Sequence, residues 1–340
     1  MSSLIERQVK IEKGAAIEAA AEPPTLSIVT TLYNSAGTIE AFCTRAVSAA
    51  ESITSNFEIV IVDDGSPDNS LRLACSLVRQ DARLKVVELS RNFGHHKALM
   101  TGLMHASGEY CFLIDSDLEE DPAVLGKFWE TLHSSGADVV YGYQRTRSGS
   151  PFRRATGALS YKLFDLLIPY KIPANHVTVR LMRRAYVNSL LLHREQQTAI
   201  GGLWVITGYR QIGVAVDKIV RRATTYSFIH RWHTLINSIT SFSETPLVAI
   251  FYLGLAISFI SGIYAAALLL RWLVGGVGVP GWLSVMISVW LLGGLAIFCI
   301  GLIGIYLSKV FIETKNRPYT IVKAIHRADT QNVESSEAEE

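Results

Sequence analysis

Charge is nearly absent from one long stretch of this chain. Between Glu244 and Lys309 the only charged residue is Arg271. Cysteine is sparse too. Cys43, Cys75, Cys111 and Cys299 are scattered, with no pair at metal-ligand or redox spacing. That excludes a disulfide framework and fits small core residues of a reducing compartment. The net charge of +2 gives no whole-chain argument for nucleic acid, and none is expected as a partner. No glycine-rich loop of the P-loop or dinucleotide type is present. Residues 1–24 lack the apolar core of a secretory signal; they mix Glu, Lys and Ala, end in Pro23-Pro24 and are expected to form a mobile tail.

The uncharged stretch divides in two. Pro246 to Leu270 is long enough to cross a bilayer core of about 30 Å. A turn at Gly275–Gly281 leads to a second apolar run, from Trp282 to about Leu307. Soluble cores rarely supply two such runs in succession, so 245–309 is expected to be a two-helix transmembrane hairpin. Lys218, Arg221, Arg222 and Arg231 precede it, and Lys309, Lys315, Arg317, Lys323 and Arg327 follow it. Basic residues favour the cytoplasmic side. Both termini and the soluble domain are therefore expected there, on the inner membrane, with 310–340 as a cytoplasmic tail. Within 226–244, Phe228, Trp232, Leu235, Ile236, Ile239 and Phe242 recur at helical spacing. They read as an amphipathic helix lying on the bilayer, or packed against the soluble domain.

Residues 25–225 make up that domain. Apolar runs at Leu26–Leu32, Phe57–Val62, Leu84–Leu89, Tyr110–Ile114 and Ala137–Tyr143 read as strands. Helices are expected at Ile39–Ile53, Ser70–Val78, Lys97–Ala106 and Val124–Leu132. Continuous apolar strands alternating with helices imply an α/β fold with a mostly parallel sheet covered on both faces. Polar clusters sit where strands end: Tyr33-Asn34-Ser35, Asp63-Asp64-Gly65-Ser66, Ser90 to Lys97, and Asp115-Ser116-Asp117. Ligands of such sheets gather at the carboxyl ends of strands. Asp63 or Asp64 would accept from a base N–H or a ribose hydroxyl. Asp115 and Asp117 suit a divalent cation beside a diphosphate, since Mg²⁺ takes one or two carboxylates plus phosphate oxygens.

From Leu26 to Ile325 the chain resembles family 2 glycosyltransferases of GT-A fold, and within them the polyprenyl-phosphate branch with a two-helix C-terminal anchor. The resemblance rests on Leu32-Tyr33-Asn34, Val62-Asp63-Asp64-Gly65-Ser66, Ser90-Arg91-Asn92-Phe93-Gly94, Asp115-Ser116-Asp117-Leu118, Val179-Arg180-Leu181-Met182 and Lys315-Asn316-Arg317-Pro318. It implies inverting transfer of a sugar from a nucleotide-sugar donor to polyprenyl phosphate, with Mg²⁺ or Mn²⁺. Leu32, Tyr33, Asn34, Val62, Asp63, Asp64 and Ser116 would then bind the nucleotide. Asp115 and Asp117 would be the catalytic, metal-holding pair, with Glu119 a third carboxylate. Arg180, Arg221 and Arg222 would hold the acceptor phosphate at the lipid bilayer, Arg being suited to bidentate phosphate contacts.

Four departures from the family pattern cluster on the acceptor and sugar side. Thr178 stands where an aspartate is usual, Gln144 where an arginine is usual, and Glu119 where a glutamine is usual. Arg222-Ala223-Thr224-Thr225-Tyr226 replaces a glycine-x-serine-lysine-tyrosine patch. Transfer to a sugar hydroxyl of a lipid-linked glycan, and a non-catalytic membrane scaffold, remain the alternatives. A homo-oligomer is compatible with the sequence, and the donor sugar is not legible in it.

Overall fold

The computed structural model describes residues 23–144, 173, 175–196, 200–217, 245–275 and 281–328. The first half alternates strand and helix. It runs β1 (Leu26–Leu32), α1 (Ile39–Glu51), β2 (Phe57–Asp63), α2 (Ser70–Val78), β3 (Leu84–Leu89), α3 (His95–His105), β4 (Tyr110–Leu113), α4 (Val124–Ser135) and β5 (Val139–Tyr143). Next come β6 (His176–Arg183), α5 (Arg184–Leu190), α6 (Ile200–Ile206) and β7 (Gln211–Ala215). Two long helices, α7 (Thr245–Gly275) and α8 (Trp282–Thr314), precede β8 (Val322–His326).

The eight strands form one sheet in the order β7-β5-β6-β4-β1-β2-β3-β8. β1 pairs in parallel with both β2 and β4, and β2 with β3. β6 runs antiparallel to β4 and β5, and β8 antiparallel to β3. Every residue of β1 is buried, because side chains on both faces meet a helical layer. Ile28, Leu32, Ile61 and Phe112 pack with Phe42 of α1 and Phe128 of α4. On the other face Val29, Val62 and Leu113 pack with Leu99 and Leu103 of α3, Tyr186 of α5 and Leu203 of α6. At about 25 cal/mol per Å² of apolar surface, these two layers are the main stabilising term. The expected mostly parallel α/β fold is the one observed.

The C-terminal region departs from expectation. Part of the segment read as a tail, Val322–His326, is a strand on the edge of the eight-stranded sheet. Glu88 of β3, only 7 % exposed, anchors it. Lys323 Nζ donates to one carboxylate oxygen of Glu88 at 2.5 Å, and His326 Nε2 lies 3.0 Å from the other. Thr320 meets Thr101 of α3 at 2.8 Å, and the carbonyl of Ile321 accepts from Ser90 N–H at 2.9 Å. Gln196 ties the end of α8 to the same region. Its N–H donates to the Glu313 carboxylate, its Nε2 to the Arg317 carbonyl, and its Oε1 accepts from Lys97. So short a strand, carrying a lysine and a histidine, has no apolar alternation to announce it.

α7 and α8 carry exposed apolar side chains along their length, among them Phe251, Phe259, Ile297 and Ile300. Two membrane spans are expected from the sequence. Among the described residues one stretch, Leu292–Thr314, is long and apolar enough to cross a membrane: 23 residues that contain an 18-residue window of mean hydropathy 2.3. In α7 the comparable stretch, Thr245–Ile257, is shorter, and several side chains beyond it lie outside the described residues. The amphipathic helix expected within 226–244 also lies outside them.

The attachment of β8 should weaken in acid. Burial works against ionisation of Glu88, but hydrogen bonds from Lys323 and His326 outweigh it and hold its pKa below the ordinary 4.5. A depressed carboxylate pKa contributes stability above the unfolded-state value and loses it as pH falls through the folded-state value. Hydrogen–deuterium exchange should therefore show Val322–His326 losing protection below about pH 4.5, while β4 stays protected. Glu88→Gln should produce the same loss at neutral pH.

Candidate active site

Strand register brings the polar clusters onto one rim. Leu32 pairs with Asp63, and Val29 with Leu113, so the carboxyl ends of β1, β2 and β4 lie side by side. β1 leads into Tyr33, 51 % exposed, and then Asn34, whose φ of 54° turns the chain away. Asn and Asp tolerate this left-handed conformation better than other side chains.

Asp64, at the end of β2, is 2 % exposed. Its Oδ1 accepts from Phe93 N–H at 2.7 Å and its Oδ2 from Gly94 N–H at 3.0 Å. Burial raises its pKa, and those two N–H bonds work against the rise. Asp64 thus ties the β3–α3 loop to the end of β2. Gly65 completes the tie: its φ is 65°, and a Cβ there would sit 2.6 Å from Asn92 N. Asp63 is equally buried, and its Oδ2 accepts from Ser66 N–H at 3.3 Å. Its Oδ1 is enclosed and accepts no hydrogen bond among the described residues. Burial raises the Asp63 pKa, Glu88 adds to the rise, and the Ser66 bonds oppose it.

Between these strand ends lies a cavity of about 110 Å³, lined by Thr31, Leu32, Tyr33, Asp64, Asn92, Gly94 and His95. His95, the first residue of α3, is a functional candidate that the sequence does not single out. Its Nδ1 lies 3.1 Å from Thr31 Oγ1, and its Nε2 lies 3.4 Å from Asp115 Oδ1. The signal in the sequence is only its place in the loop after β3.

Asp115 is half-buried and Asp117 exposed. Asp117 Oδ1 accepts from Glu119 N–H at 2.9 Å, and Leu118 takes a φ of 58°, so the segment is a tight turn. Two carboxylates one residue apart supply the hard oxygen donors that Mg²⁺ or Mn²⁺ takes, which fits a cation shared with a diphosphate. Among the described residues no three His, Cys, Asp or Glu side chains are grouped to hold a metal alone. Glu119 is therefore not gathered with the pair as a third ligand.

Several expected contacts move. Val62 is fully buried and packs in the core under α3. Ser116 is 3 % exposed, and its hydroxyl donates to the Thr31 carbonyl at 2.7 Å, fastening the β4 turn to β1. Leu32 is buried but lines the cavity; Asn34 is exposed beside it. Arg180 on β6 is 2 % exposed. Its guanidinium covers the Trp204 ring and donates to the carbonyls of Thr178 and Val177. It serves as a strut between β6 and α6 rather than as an open phosphate hook. Arg221, Arg222 and Thr225 lie outside the described residues.

Residues 27–191 match the family described as Glycosyl transferase family 2. A Mycobacterium tuberculosis protein, by name a glycosyltransferase, is 50 % identical over 311 residues, 92 % of this chain and 91 % of its own. The chain belongs to glycosyl transferase family 2. As a family 2 glycosyltransferase it is an enzyme, and its α/β domain is of the GT-A type. The SfII prophage-derived bactoprenol glucosyl transferase of Shigella flexneri is 32 % identical, over 89 % of this chain and 99 % of its own. A solved mannosyltransferase of Pyrobaculum calidifontis, in complex with GDP-Man and Mn²⁺, superposes with a TM-score of 0.47 at 19 % identity, covering 91 % of this chain and 93 % of that one.

Gly65→Ala in this glycosyltransferase should push the β3–α3 loop off Asp64. A non-glycine residue in a strained conformation costs about 1–3 kcal/mol. The expected result is a lower melting temperature together with weakened binding of nucleoside diphosphate, read by calorimetry. Unchanged nucleotide binding would show that the loop does not form the donor pocket.

Proposed function

We propose that the enzyme transfers a sugar, with inversion, from a nucleotide-sugar donor to polyprenyl phosphate at the cytoplasmic face of the inner membrane. One observation carries the reading. The rim bearing Asp63, Asp64, Asp115 and Asp117 belongs to a sheet whose edge strand β8 follows an exposed apolar helix after residues 315–321. A soluble acceptor would not require that attachment, whereas a lipid acceptor does. The name of the Shigella flexneri relative, which acts on bactoprenol, supports the same acceptor class.

The membrane part of this reading is a hairpin, with both α7 and α8 crossing. α7 has 31 residues, about 46 Å at 1.5 Å per residue, and its one charged residue is Arg271 near the far end. The excess of Lys and Arg outside the hairpin keeps both termini and the catalytic domain cytoplasmic.

On the donor side, the exposed Tyr33 ring offers a face for the base. Asp64 holds the loop that closes the pocket. Asp115 and Asp117 would hold Mg²⁺ or Mn²⁺, which when bound neutralises charge developing on the departing nucleoside diphosphate. An acceptor phosphate oxygen, ionised near neutral pH, attacks the anomeric carbon from the face opposite the leaving group. It carries no proton to remove, so no general base is required of the chain, unlike transfer to a hydroxyl.

The test uses purified full-length enzyme in detergent with a panel of labelled UDP, GDP and dTDP sugars. Polyprenyl phosphate and a lipid-linked oligosaccharide serve as competing acceptors. Polyprenyl-phosphate sugar is the expected product, and Asp115→Ala should lower its rate by at least about 100-fold. Product from the oligosaccharide alone would overturn the acceptor assignment. An unchanged rate in Asp115→Ala would overturn the catalytic one.

A further inference from the structure

We propose that His95 is a positioning residue for Asp115: it fixes the carboxylate through the imidazole and so sets the affinity of the site for its cation. The inference rests on the reading that Asp115 holds that cation. It adds a residue from a different strand end, which neither the Asp115-Ser116-Asp117 turn nor the comparisons assign.

The backbone of His95 is unusually well determined. The residue before it, Gly94, takes φ 98° and ψ 144°, which reverses the chain just ahead of α3. The Gly94 N–H is held by Asp64, and its carbonyl accepts from Lys97 N–H at 3.0 Å and Ala98 N–H at 3.1 Å. About two turns further on, α3 lies hard against the sheet. A Cβ on Gly102 would sit 2.5 Å from Val29 Cγ1, so the helix cannot move inward. Thr101 is tied to Thr320 on its outer side. The start of α3 is thus bound from several directions, and its first side chain reaches back over the strand ends.

Thr31 is the common post for that reach. Its carbonyl accepts from the Ser116 hydroxyl, and its own hydroxyl meets His95 Nδ1. Asp115 lies between these two ties, adjoining Ser116 in the chain and facing His95 Nε2 across 3.4 Å. With Nδ1 accepting from Thr31 Oγ1, the ring hydrogen sits on Nε2, 3.4 Å from the enclosed Asp115 Oδ1; the two are adjacent without a formed hydrogen bond, and a small turn of the Asp115 carboxylate would bring Oδ1 onto that hydrogen. A carboxylate engaged in this way when the cation binds would turn its other oxygen outward in one orientation instead of several. Partners that orient metal ligands typically change metal affinity 10–100-fold when removed. The same arrangement links the two halves of the site: Asp64 fixes the loop, the loop aims His95, and His95 holds Asp115.

Binding of Mn²⁺ alone to the full-length protein in detergent, followed by water-proton relaxation, tests this without turnover. His95→Ala should raise the dissociation constant for Mn²⁺ about 10–100-fold. His95→Gln, which returns an N–H donor on a shorter planar group, should recover most of the loss. Wild-type affinity in His95→Ala would overturn the inference. So would equal losses in the alanine and glutamine variants with unchanged melting temperatures, since the N–H would then be irrelevant. Wild-type protein whose Mn²⁺ binding is indifferent to Asp115→Ala would overturn the underlying metal reading, and the inference with it. Tight wild-type binding lost in Asp115→Ala keeps that reading separate from the fate of His95.

Discussion

Two hydrogen bonds to one buried carboxylate organise the rim that carries the candidate site. Asp64 accepts from Phe93 and Gly94, and so converts the β3–α3 loop from a surface connection into a wall of the cavity. Hydrogen bonds to a charged group contribute about 1.5–3 kcal/mol each, more than neutral ones. The desolvation of Asp64 makes them obligatory, because a buried carboxylate without partners is far more costly than a buried amide. Gly65 then has to lie against Asn92 with a positive φ, and α3 has to start at His95. The two acidic residues at the end of β2 thus divide their work. Asp64 is spent on structure, while Asp63 keeps one enclosed oxygen, away from the cavity lining, that accepts no hydrogen bond among the described residues.

The parts of this arrangement that are legible in the sequence are those with a local cause. Leu26–Leu32 reads as a buried strand because every position is apolar or small enough to be covered, and the helices that follow carry ordinary amphipathic spacing. The polar clusters are legible because a parallel sheet collects its loops on one rim. What depends on distant partners is not legible. α3 starts at His95, two residues before the start expected at Lys97, because Asp64, thirty residues back, holds its N-terminal approach. Ser116 looks like a member of the ligand set, yet its hydroxyl is consumed by a strand neighbour, Thr31, that sequence spacing does not reveal. β8 pairs across more than two hundred residues.

Arg180 shows the same limit from the side of charge. In Val179-Arg180-Leu181-Met182 the family resemblance, and the fitness of Arg for bidentate phosphate contacts, make the arginine a candidate ligand of the acceptor phosphate. Register puts it opposite Leu113 and Tyr141, on the face covered by α6. There the guanidinium is satisfied by carbonyls at the start of its own strand and by the Trp204 ring. Stacking a cation on an aromatic face is worth about 2 kcal/mol or more when desolvated, which offsets part of the cost of burying the charge. A residue committed in this way is stiff, and the stretch of β6 it braces runs beside the end of β4 from which Asp115 emerges.

The distance from the rim to the bilayer follows from the chain itself. Only residues 315–321 separate the end of α8 from β8, and fully extended they reach on the order of 25 Å. They are not extended. Gln196 holds Glu313 and the Arg317 carbonyl together, and Thr320 is already against α3. With α8 in the bilayer, the sheet edge is therefore pinned close to the headgroups and has little freedom to tilt. α3 is common to both constraints: its first residue faces Asp115, and its third, Lys97, joins the Gln196 tie to α8. A lipid phosphate confined to the headgroup layer then needs no large rearrangement of the enzyme to meet the donor. On the proposed membrane reading, the domain would already be held near the height where such an acceptor resides, and the cost of bringing the two together would be met in folding.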